Sequence, residues 1–429
     1  MGQFKESIMF RRISLFLLLI SRLTFAQHAL DDFLNSAIEN SPVLKEYHYQ
    51  QTIIQIQQKI NRAENASFQI SLTSDYLFAP YFNNHGNLVT TDPSPQAIGY
   101  DINLFDGGLY SAQLNLERNI FNGRLMNILD RQIQIQNNNT RYSIDLEKLS
   151  LKKQVTDQYL NTYQSLLMTR LSEEVVSNLS DQLELTAELV ERGFVKTQDY
   201  LQLKIELKTQ TIALNDAQQQ YRSSLYQLYA MCGIQDTMIV DIDSVALAMN
   251  ELMPTSNFIQ KYTLDSLMTM NQQKLFEAKY LPQVSLFLNT GLNAVELNNI
   301  QRKFGMSAGL SLSLPLYDGR QKSLTRQQNL VNQNTISEYR RFFEQNIAMQ
   351  QNDLISQIHA LEKNIRDLTE QIIDYGKLLE LSENQLQQGN VSMIDHLTLL
   401  RNFVDIRKSK IETEINYQLE INNYNYWNW

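Results

Sequence analysis

The sequence repeats one long pattern at a spacing of 196 residues. At that spacing Gly123 matches Gly319, and Gly193 matches Gly389. The motif G-x-V-x-x-x-D-x-L-x-L begins at both members of the second pair. A repeated unit of this length indicates internal pseudosymmetry, so we expect the two halves of the chain to adopt similar structures.

Between its two glycines, each copy has a very long stretch, 124–192 or 320–388, that is almost free of Gly and Pro. Folded as one helix, such a stretch would be about 100 Å long, several times the length of an ordinary helix. Leu171, Val175, Leu179 and Leu183 form one apolar stripe, and Gln, Asn, Glu and Lys cover the other faces. This pattern predicts long helices that pack side by side and keep one face in water.

The composition excludes several classes of protein. The chain of 429 residues has a net charge of −9 and no basic cluster in its mature part, which argues against binding to nucleic acid. Its one cysteine, Cys232, cannot form an internal disulfide. The five histidines lack metal-ligand spacing, so we predict neither a metal nor any other cofactor.

The N-terminus has the pattern of a secretory signal peptide. Basic residues precede the apolar run 13–20, and small residues lead to Ala26. We predict that residues 1–26 are removed and that the mature chain begins near Gln27. A membrane-anchoring helix is the alternative, but the apolar run is much shorter than the roughly 20 residues that a bilayer requires.

The period of the pattern changes from 3.6 to 2 after an opening helix at 28–62. Apolar and polar residues then alternate over 66–78 and 110–121, and again over 283–293 and 304–317. Alternation of this kind predicts two pairs of half-buried strands.

The loop between the first two strands contains Pro80, Gly86, Gly99 and other breakers, and we expect it to be long and irregular. Alignment of Phe68 with Val284 gives this loop roughly 20 more residues than its counterpart.

Each strand pair is followed by a long helix and then by a shorter return helix. The predicted organisation is repeat 1 at 27–232, with long helix 124–192 and return helix 197–231, a connector at 233–254, and repeat 2 at 255–429, with long helix 320–388 and return helix 393–426.

Four strands with one apolar face and one small, polar face suit a wall between lipid and water. Four strands cannot close a barrel, because transmembrane barrels begin at about eight strands. The chain must therefore share its barrel with copies of itself. A soluble antiparallel sheet is the alternative, but the signal peptide and the very long helices favour an α+β membrane protein.

Three short segments, together with the two glycine-centred turns, carry a resemblance to a known family. The segments are Leu30 to Pro42, Leu281 to Gln283 and Leu314 to Arg320. In this order and spacing they resemble the TolC-like outer-membrane efflux protein family over essentially the whole mature chain. The resemblance implies a homotrimer with a 12-stranded β-barrel in the outer membrane of a Gram-negative bacterium.

In such a trimer, long helices continue the barrel as a tunnel through the periplasm, and the connector with the C-terminal end encircles the tunnel. The implied partners are outer-membrane lipid, a periplasmic adaptor (membrane fusion) protein and an inner-membrane pump of the RND or ABC type.

Gly193 and Gly389 are expected to reverse the chain at the periplasmic tip, because glycine readily adopts the left-handed conformation. The resemblance implies that these turns contact the adaptor. The candidate docking residues are Arg192, Gly193, Phe194, Val195, Lys196, Gln388, Gly389, Asn390, Val391 and Ser392.

Two aspartates, Asp199 and Asp395, follow those glycines by six residues. A threefold assembly would place copies of Asp395 in a ring near the tunnel mouth, where carboxylates could hold cations and narrow the pore. Thr398 occupies the position where some family members have a second aspartate, and Val391 the position of a latching arginine. The alternative is that both aspartates only stabilise helix N-termini.

The segment Gly305 to Gly309 matches the G-x-S-x-G pattern of serine hydrolases, but its Ser307 lies within an alternating strand pattern rather than at a strand-to-helix turn. We therefore predict no enzyme activity. The predicted function is a passive exit duct of a tripartite efflux or type I secretion system. The alternative is a structural or adhesive coiled-coil protein that its strands anchor in the outer membrane.

Overall fold

The computed structural model describes residues 29–84, 86–91, 94–100, 108–295, 297, 299–388 and 390–429. The predicted signal peptide and Gly389 lie outside these residues. The described chain divides into two compact units, and each contains segments of both repeats. The described residues of the helical unit lie in the ranges 29–46, 144–258 and 343–429, and those of the strand unit lie in the ranges 47–143 and 259–342.

The opening helix, which the sequence predicts over 28–62, is interrupted at Ser41. Helix α1 spans Leu30–Asn40 and helix α2 spans Pro42–Ala66. Pro42 suits the first turn of a helix because that position needs no hydrogen-bonded N–H, and the Ser41 hydroxyl accepts a bond from the Leu44 N–H. Helix α2 continues past the predicted end at residue 62, since no Gly or Pro stops it.

The strand unit contains an antiparallel sheet with the order β1-β4-β5-β6. The four strands, which the sequence predicts as two pairs, are β1 Gln69–Phe78, β4 Gly108–Ile120, β5 Gln283–Ala294 and β6 Phe304–Ser313. The central pairing, between β4 and β5, joins the two repeats and places Leu116 opposite Leu288. Strands β1 and β6 are the edges of the sheet.

The structure corrects two details of the strand prediction. Strand β6 ends at Ser313 rather than at residue 317, and Pro315, which lacks an N–H to donate to a ladder, follows closely. Leu114 and Leu310, which are equivalent positions of the two repeats, pair with Leu72 and Leu286. Leu286 is therefore the counterpart of Leu72, and Val284 corresponds to Ile70 and not to Phe68.

The predicted irregular loop contains a small hairpin of its own. Strand β2, Tyr81–Asn84, pairs with strand β3, Asn87–Thr90. Phe82 also exchanges two backbone hydrogen bonds with Ile98, at 2.8 and 3.0 Å. The breakers in this segment thus form turns around short strands, which composition does not reveal.

Within the part of the chain that the structure describes, five further α-helices follow β4. Helix α3 has 69 residues and helix α6 has 67, in agreement with the two long helices that the repeat predicts. None of the helices that the structure describes is long and apolar enough to cross a membrane. The bounds are α3 Gly123–Glu191, α4 Thr197–Cys232, α5 Gln260–Ala278, α6 Gln321–Gln387 and α7 Met393–Trp427.

The connector lies against the helices within the helical unit. The Tyr159 hydroxyl donates to the Asp243 carbonyl at 2.8 Å. At the end of α7, the side-chain amides of Asn425 and Asn428 donate to the carbonyls of Ala248 and Glu251 at 2.9 and 2.7 Å. These bonds satisfy backbone groups of a segment without regular structure, so the connector is held in place by side chains.

Candidate functional site at the hairpin tips

The turn between α3 and α4 is a compact reversal around Gly193. This glycine has φ +77°, a left-handed conformation that disfavours residues with a side chain. The Phe194 N–H donates to the Leu189 carbonyl at 2.9 Å, and the Gly193 N–H donates to the Val190 carbonyl at 3.0 Å. These two bonds define a Schellman motif, which ends the long helix and reverses the chain.

The turn between α6 and α7 has the equivalent of one of these two hydrogen bonds. The Asn390 N–H donates to the Gln385 carbonyl at 2.9 Å, and these atoms are the repeat equivalents of the Phe194–Leu189 pair. Gly389, the expected centre of this turn, lies outside the described residues. The predicted glycine-centred reversal is therefore observed at Gly193, and the described residues of the second turn show the equivalent bond of Asn390.

The predicted docking residues fall into two groups by exposure. Val195 and Val391 are half-buried, which suits them to hold the turns in place. The other described residues are exposed, and Phe194 presents an aromatic ring that is 77 % exposed. The exposed candidates are Arg192, Gly193, Phe194, Lys196, Gln388, Asn390 and Ser392.

The two aspartates lie in the first turns of the return helices. At α7, the Ser392 hydroxyl accepts from the Asp395 N–H at 3.2 Å and donates to the Asp395 carboxylate at 2.6 Å. At α4, the N-cap residue Lys196 makes no side-chain capping bond. Asp395 thus stabilises a helix N-terminus, as the alternative interpretation expects, while it remains exposed. The Thr398 hydroxyl donates to the Ile394 carbonyl on the same helix.

A buried carboxylate joins the two repeats behind the tips. Glu206 of α4 is 2 % exposed, accepts two hydrogen bonds from Arg401 of α7, and accepts a third from Gln210 at 2.8 Å. Burial raises the pKa of Glu206, but the bonds from Arg401 and Gln210 outweigh burial and hold that pKa below its ordinary value. The carboxylate therefore stays charged at neutral pH.

A second ion pair crosses the same junction. Arg407 of α7 donates to both carboxylate oxygens of Glu174 on α3, at 2.6 and 2.9 Å. The two parallel bonds fix the orientation of the guanidinium group as well as its distance. Helix α7 is therefore attached to both helices of the repeat 1 hairpin.

An apolar cluster packs at the same junction, and it includes the stripe that the sequence predicts on α3. Burying one such side chain contributes roughly 1.5 to 3 kcal/mol, so the cluster stabilises this junction more than its ion pairs do. Its buried members are Leu171, Val175, Leu179, Leu203, Met393, Leu397 and Val404.

His396 is buried beside this cluster, and its Nδ1 lies 3.2 Å from the Ser382 hydroxyl of α6. Burial lowers the pKa of His396, and Glu383 opposes this effect only in part. The imidazole is therefore held in its neutral form at pH 7.

The residues that hold this junction are not among those predicted from the sequence. Glu206 follows Leu203 by one helical turn, and a charged residue on an apolar stripe is a signal that a partner must exist. Its partner Arg401 is 195 residues away, so no local pattern could identify it. His396 is distinguished only by replacing Tyr200 of the other repeat.

Within the described ranges, no group of three or more His, Cys, Asp and Glu side chains could hold a metal ion. Ser307, the serine of the hydrolase-like pattern, lies within β6 and pairs with Asn289, so it is not at a strand-to-helix elbow.

Comparisons with known proteins give a clear result for structure and none for sequence. No protein-family profile matches the chain, and no curated protein matches it.

Solved structures match the chain along nearly its whole length. The outer membrane protein VceC from Vibrio cholerae superposes with a TM-score of 0.70 at 13 % identity, over 94 % of this chain and 97 % of VceC. CusC, for which transmembrane channel formation is described, gives 0.68 at 14 % identity, over 95 % and 93 %. The Campylobacter jejuni CmeC outer membrane channel gives 0.66 at 13 % identity, over 94 % and 86 %.

The chain therefore has the fold of outer-membrane channel proteins. More specifically, this fold is the TolC-like fold, and the resemblance that the sequence predicts is confirmed at the level of structure.

Proposed function

We propose that this chain is one subunit of a trimeric exit duct in the outer membrane of a Gram-negative bacterium, and that the duct extends into the periplasm. The duct is passive, does no chemistry, and belongs to a tripartite efflux or type I secretion system. A periplasmic adaptor joins it to an inner-membrane pump of the RND or ABC type. The fold shared with outer-membrane channels supports this proposal.

The sheet is the main support for this proposal, because within one chain it leaves an apolar face exposed and two edge strands unpaired. Large apolar side chains, among them Ile70, Leu72, Met306, Leu310 and Leu312, are exposed on β1 and β6. Strands β1 and β6 are also the two unpaired edges within the described sheet. Lipid would cover such an apolar face, and closure into a barrel would remove the edges. Three copies would supply twelve strands.

The tips support docking to an adaptor. The exposed residues around Gly193 and Gly389, with Phe194 as the most prominent, would form the surface that meets the adaptor. An exposed aromatic ring on a rigid turn is the kind of anchor that dominates binding energy at interfaces.

The same trimer would gather three copies of Asp395 near the tunnel mouth. These carboxylates are exposed and each is oriented by Ser392, so a ring of them would attract cations and repel anions. Asp199 and Thr398 are secondary candidates for this gate.

The experiment uses the full mature protein purified in detergent. We expect sedimentation to give the mass of three chains, and planar bilayers to show ion conductance. Asp395→Asn should raise the conductance of anions relative to cations, while Asp374→Asn on the exposed surface of α6 serves as the matched control. A monomeric protein, or a protein that remains in the aqueous periplasmic fraction, would exclude the proposal. A trimer that does not conduct would favour the structural coiled-coil alternative.

A further inference from the structure

Aromatic and basic side chains lie together at the end of the sheet where repeat 2 passes from its strands to its long helix. The Lys322 Nζ stands over the Tyr280 ring, 5.0 Å from the ring centroid. The Lys279 Nζ stands over the Phe276 ring at 5.4 Å, and the two ring centroids are 5.7 Å apart. We call these four residues the aromatic–basic cluster. Both of its lysines are exposed, and the rings hold their ammonium groups at the surface.

Two carboxylates lie beside the cluster, and other groups already bind both. The Glu277 carboxylate accepts a hydrogen bond from Arg326 at 2.8 Å. The Asp318 carboxylate accepts from a backbone N–H in the first turn of α6 at 2.8 Å and from the Tyr280 hydroxyl. Among the described residues, neither ammonium group of the cluster forms an ion pair. Both therefore keep their capacity to bind an anion.

The apolar face of β6 leads directly to this cluster. Its alternation continues beyond the end of the strand to Leu316, which is 90 % exposed, and Tyr317 follows at 84 %. The next residue is Asp318, which bonds to Tyr280 of the cluster. In the proposed barrel, acyl chains would cover the leucines of this face, so the cluster would lie at the level of the lipid headgroups. The exposed leucines are Leu310, Leu312, Leu314 and Leu316.

Repeat 1 has no equivalent of the cluster. The strand pairing makes Val284 the counterpart of Ile70, and this match identifies the equivalents on the segment before each first strand. The spacing of 196 residues identifies the equivalent on the long helix. The shared fold therefore does not require the cluster, which is a local feature of repeat 2. Asn65 takes the position of Lys279, Ala66 that of Tyr280 and Met126 that of Lys322.

We propose that the aromatic–basic cluster binds the phosphate group of an anionic phospholipid, of the phosphatidylglycerol type, in the membrane leaflet that faces the periplasm. The proposal rests on the proposed function, which places the sheet in a membrane, and it adds the class of lipid that the duct selects. Two ammonium groups attract a headgroup of net negative charge more strongly than a zwitterionic headgroup. A trimer would have three such sites.

The test is lipid binding to the full mature trimer in a nonionic detergent, measured by native mass spectrometry. The probes are dioleoyl phosphatidylglycerol and dioleoyl phosphatidylcholine, which share their acyl chains and differ in headgroup charge. We expect three phosphatidylglycerol molecules to bind each trimer more tightly than phosphatidylcholine does. Lys279→Gln and Lys322→Gln should each weaken phosphatidylglycerol binding about fivefold, and the double variant about 25-fold. Binding of phosphatidylcholine should stay unchanged.

The matched control is Lys261→Gln. Lys261 lies at the other end of α5, and its Nζ also stands over an aromatic ring, that of Tyr262, at 6.0 Å. Because α5 has 19 residues, Lys261 and Lys279 are about 27 Å apart along its axis. This variant removes the same charge outside the cluster and should keep the wild-type affinity for both lipids.

Inorganic phosphate distinguishes a lipid site from a general anion site, because it has the charge but no acyl chains. At millimolar concentration it should not displace phosphatidylglycerol. Displacement by phosphate, equal affinity for the two lipids, or equal affinity of the double variant and Lys261→Gln would overturn the lipid site in a protein that is still a conducting trimer. A wild-type protein that is not trimeric would instead exclude the proposed function.

Discussion

Individual polar residues near the tips stabilise the local structure through hydrogen bonds and ion pairs. Asp395 is hydrogen-bonded to Ser392 at a helix N-terminus, and Glu206 is paired with Arg401 at the junction between the two repeats. His396 differs from both because it is a histidine buried beside the cluster of Leu397, and burial lowers its pKa from the ordinary value of 6.5. The groups that face it are Ser382 and, at longer range, Glu383.

We predict that His396 makes the stability of this junction depend on pH. Its pKa is lower in the folded than in the unfolded chain, so stability is complete above the ordinary pKa of 6.5 and is lost as pH falls through the folded pKa. The loss is about 1.4 kcal/mol for each unit of difference between the two pKa values. Thermal unfolding of the wild type should therefore shift to lower temperature between about pH 7.5 and pH 5.5.

The control for this effect is His396→Gln, which keeps a polar group near Ser382 but cannot titrate. Its unfolding temperature should change less over the same range. Equal shifts in both proteins would assign the pH dependence to other groups.

At the scale of the element, the two return helices begin differently although their repeats match. Ser392 caps α7 with its hydroxyl, whereas Lys196, at the equivalent position of α4, makes no side-chain bond. Serine is among the favoured N-cap residues and lysine is not. The first turn of α4 should consequently open more readily than that of α7.

This difference predicts opposite effects of two substitutions. Ser392→Ala should destabilise the first turn of α7 by about 1 kcal/mol, and Lys196→Ser should stabilise the first turn of α4 by a similar amount. Amide hydrogen exchange of these turns measures both changes, and Ser392→Asp, which retains a capping oxygen, is the control. Faster exchange in α4 after Lys196→Ser would contradict the argument.

The long elements could be predicted from the sequence because Gly and Pro mark their ends. Helix α3 and helix α6 begin and end within one residue of the predicted bounds. The strand register could not be predicted from the sequence, because a shift of two residues leaves every side chain on the same face. Phe68 and Ile70 are equally good matches for Val284 by alternation, and only the pairing with β4 distinguishes them.

In the candidate site, too, some features could be predicted from the sequence and others could not. The turn at Gly193 and the cap at Ser392 depend on residues close in sequence, and such local signals are readable. The bond between Glu206 and Arg401 joins the two repeats, and no local pattern in the sequence indicates which distant residues are paired.

At the scale of the whole molecule, pseudosymmetry extends from the helices to the sheet. The pairing of β4 with β5 joins repeat 1 to repeat 2 within the chain. Its equivalent would join β6 of one copy to β1 of the next, and would close the barrel of the proposed trimer. The closing register follows from two matches between the repeats: Asn115 of β4 corresponds to Ser311 of β6, and Asn289 of β5 corresponds to Asp75 of β1.

The pair Asn115 and Asn289 in the intrachain ladder thus predicts Ser311 of one copy opposite Asp75 of the next. We expect Ser311→Cys with Asp75→Cys to form a disulfide between copies in membranes, because directly opposite residues have Cβ atoms about 5 Å apart. Ser311→Cys with Thr73→Cys tests the register shifted by two, where the diagonal distance of about 7 to 8 Å disfavours a disulfide. If the Thr73 pair oxidises faster, copies close the barrel in the shifted register. If neither pair oxidises in a trimer of confirmed mass, β6 and β1 do not pair between copies, and the trimer is joined through its helices.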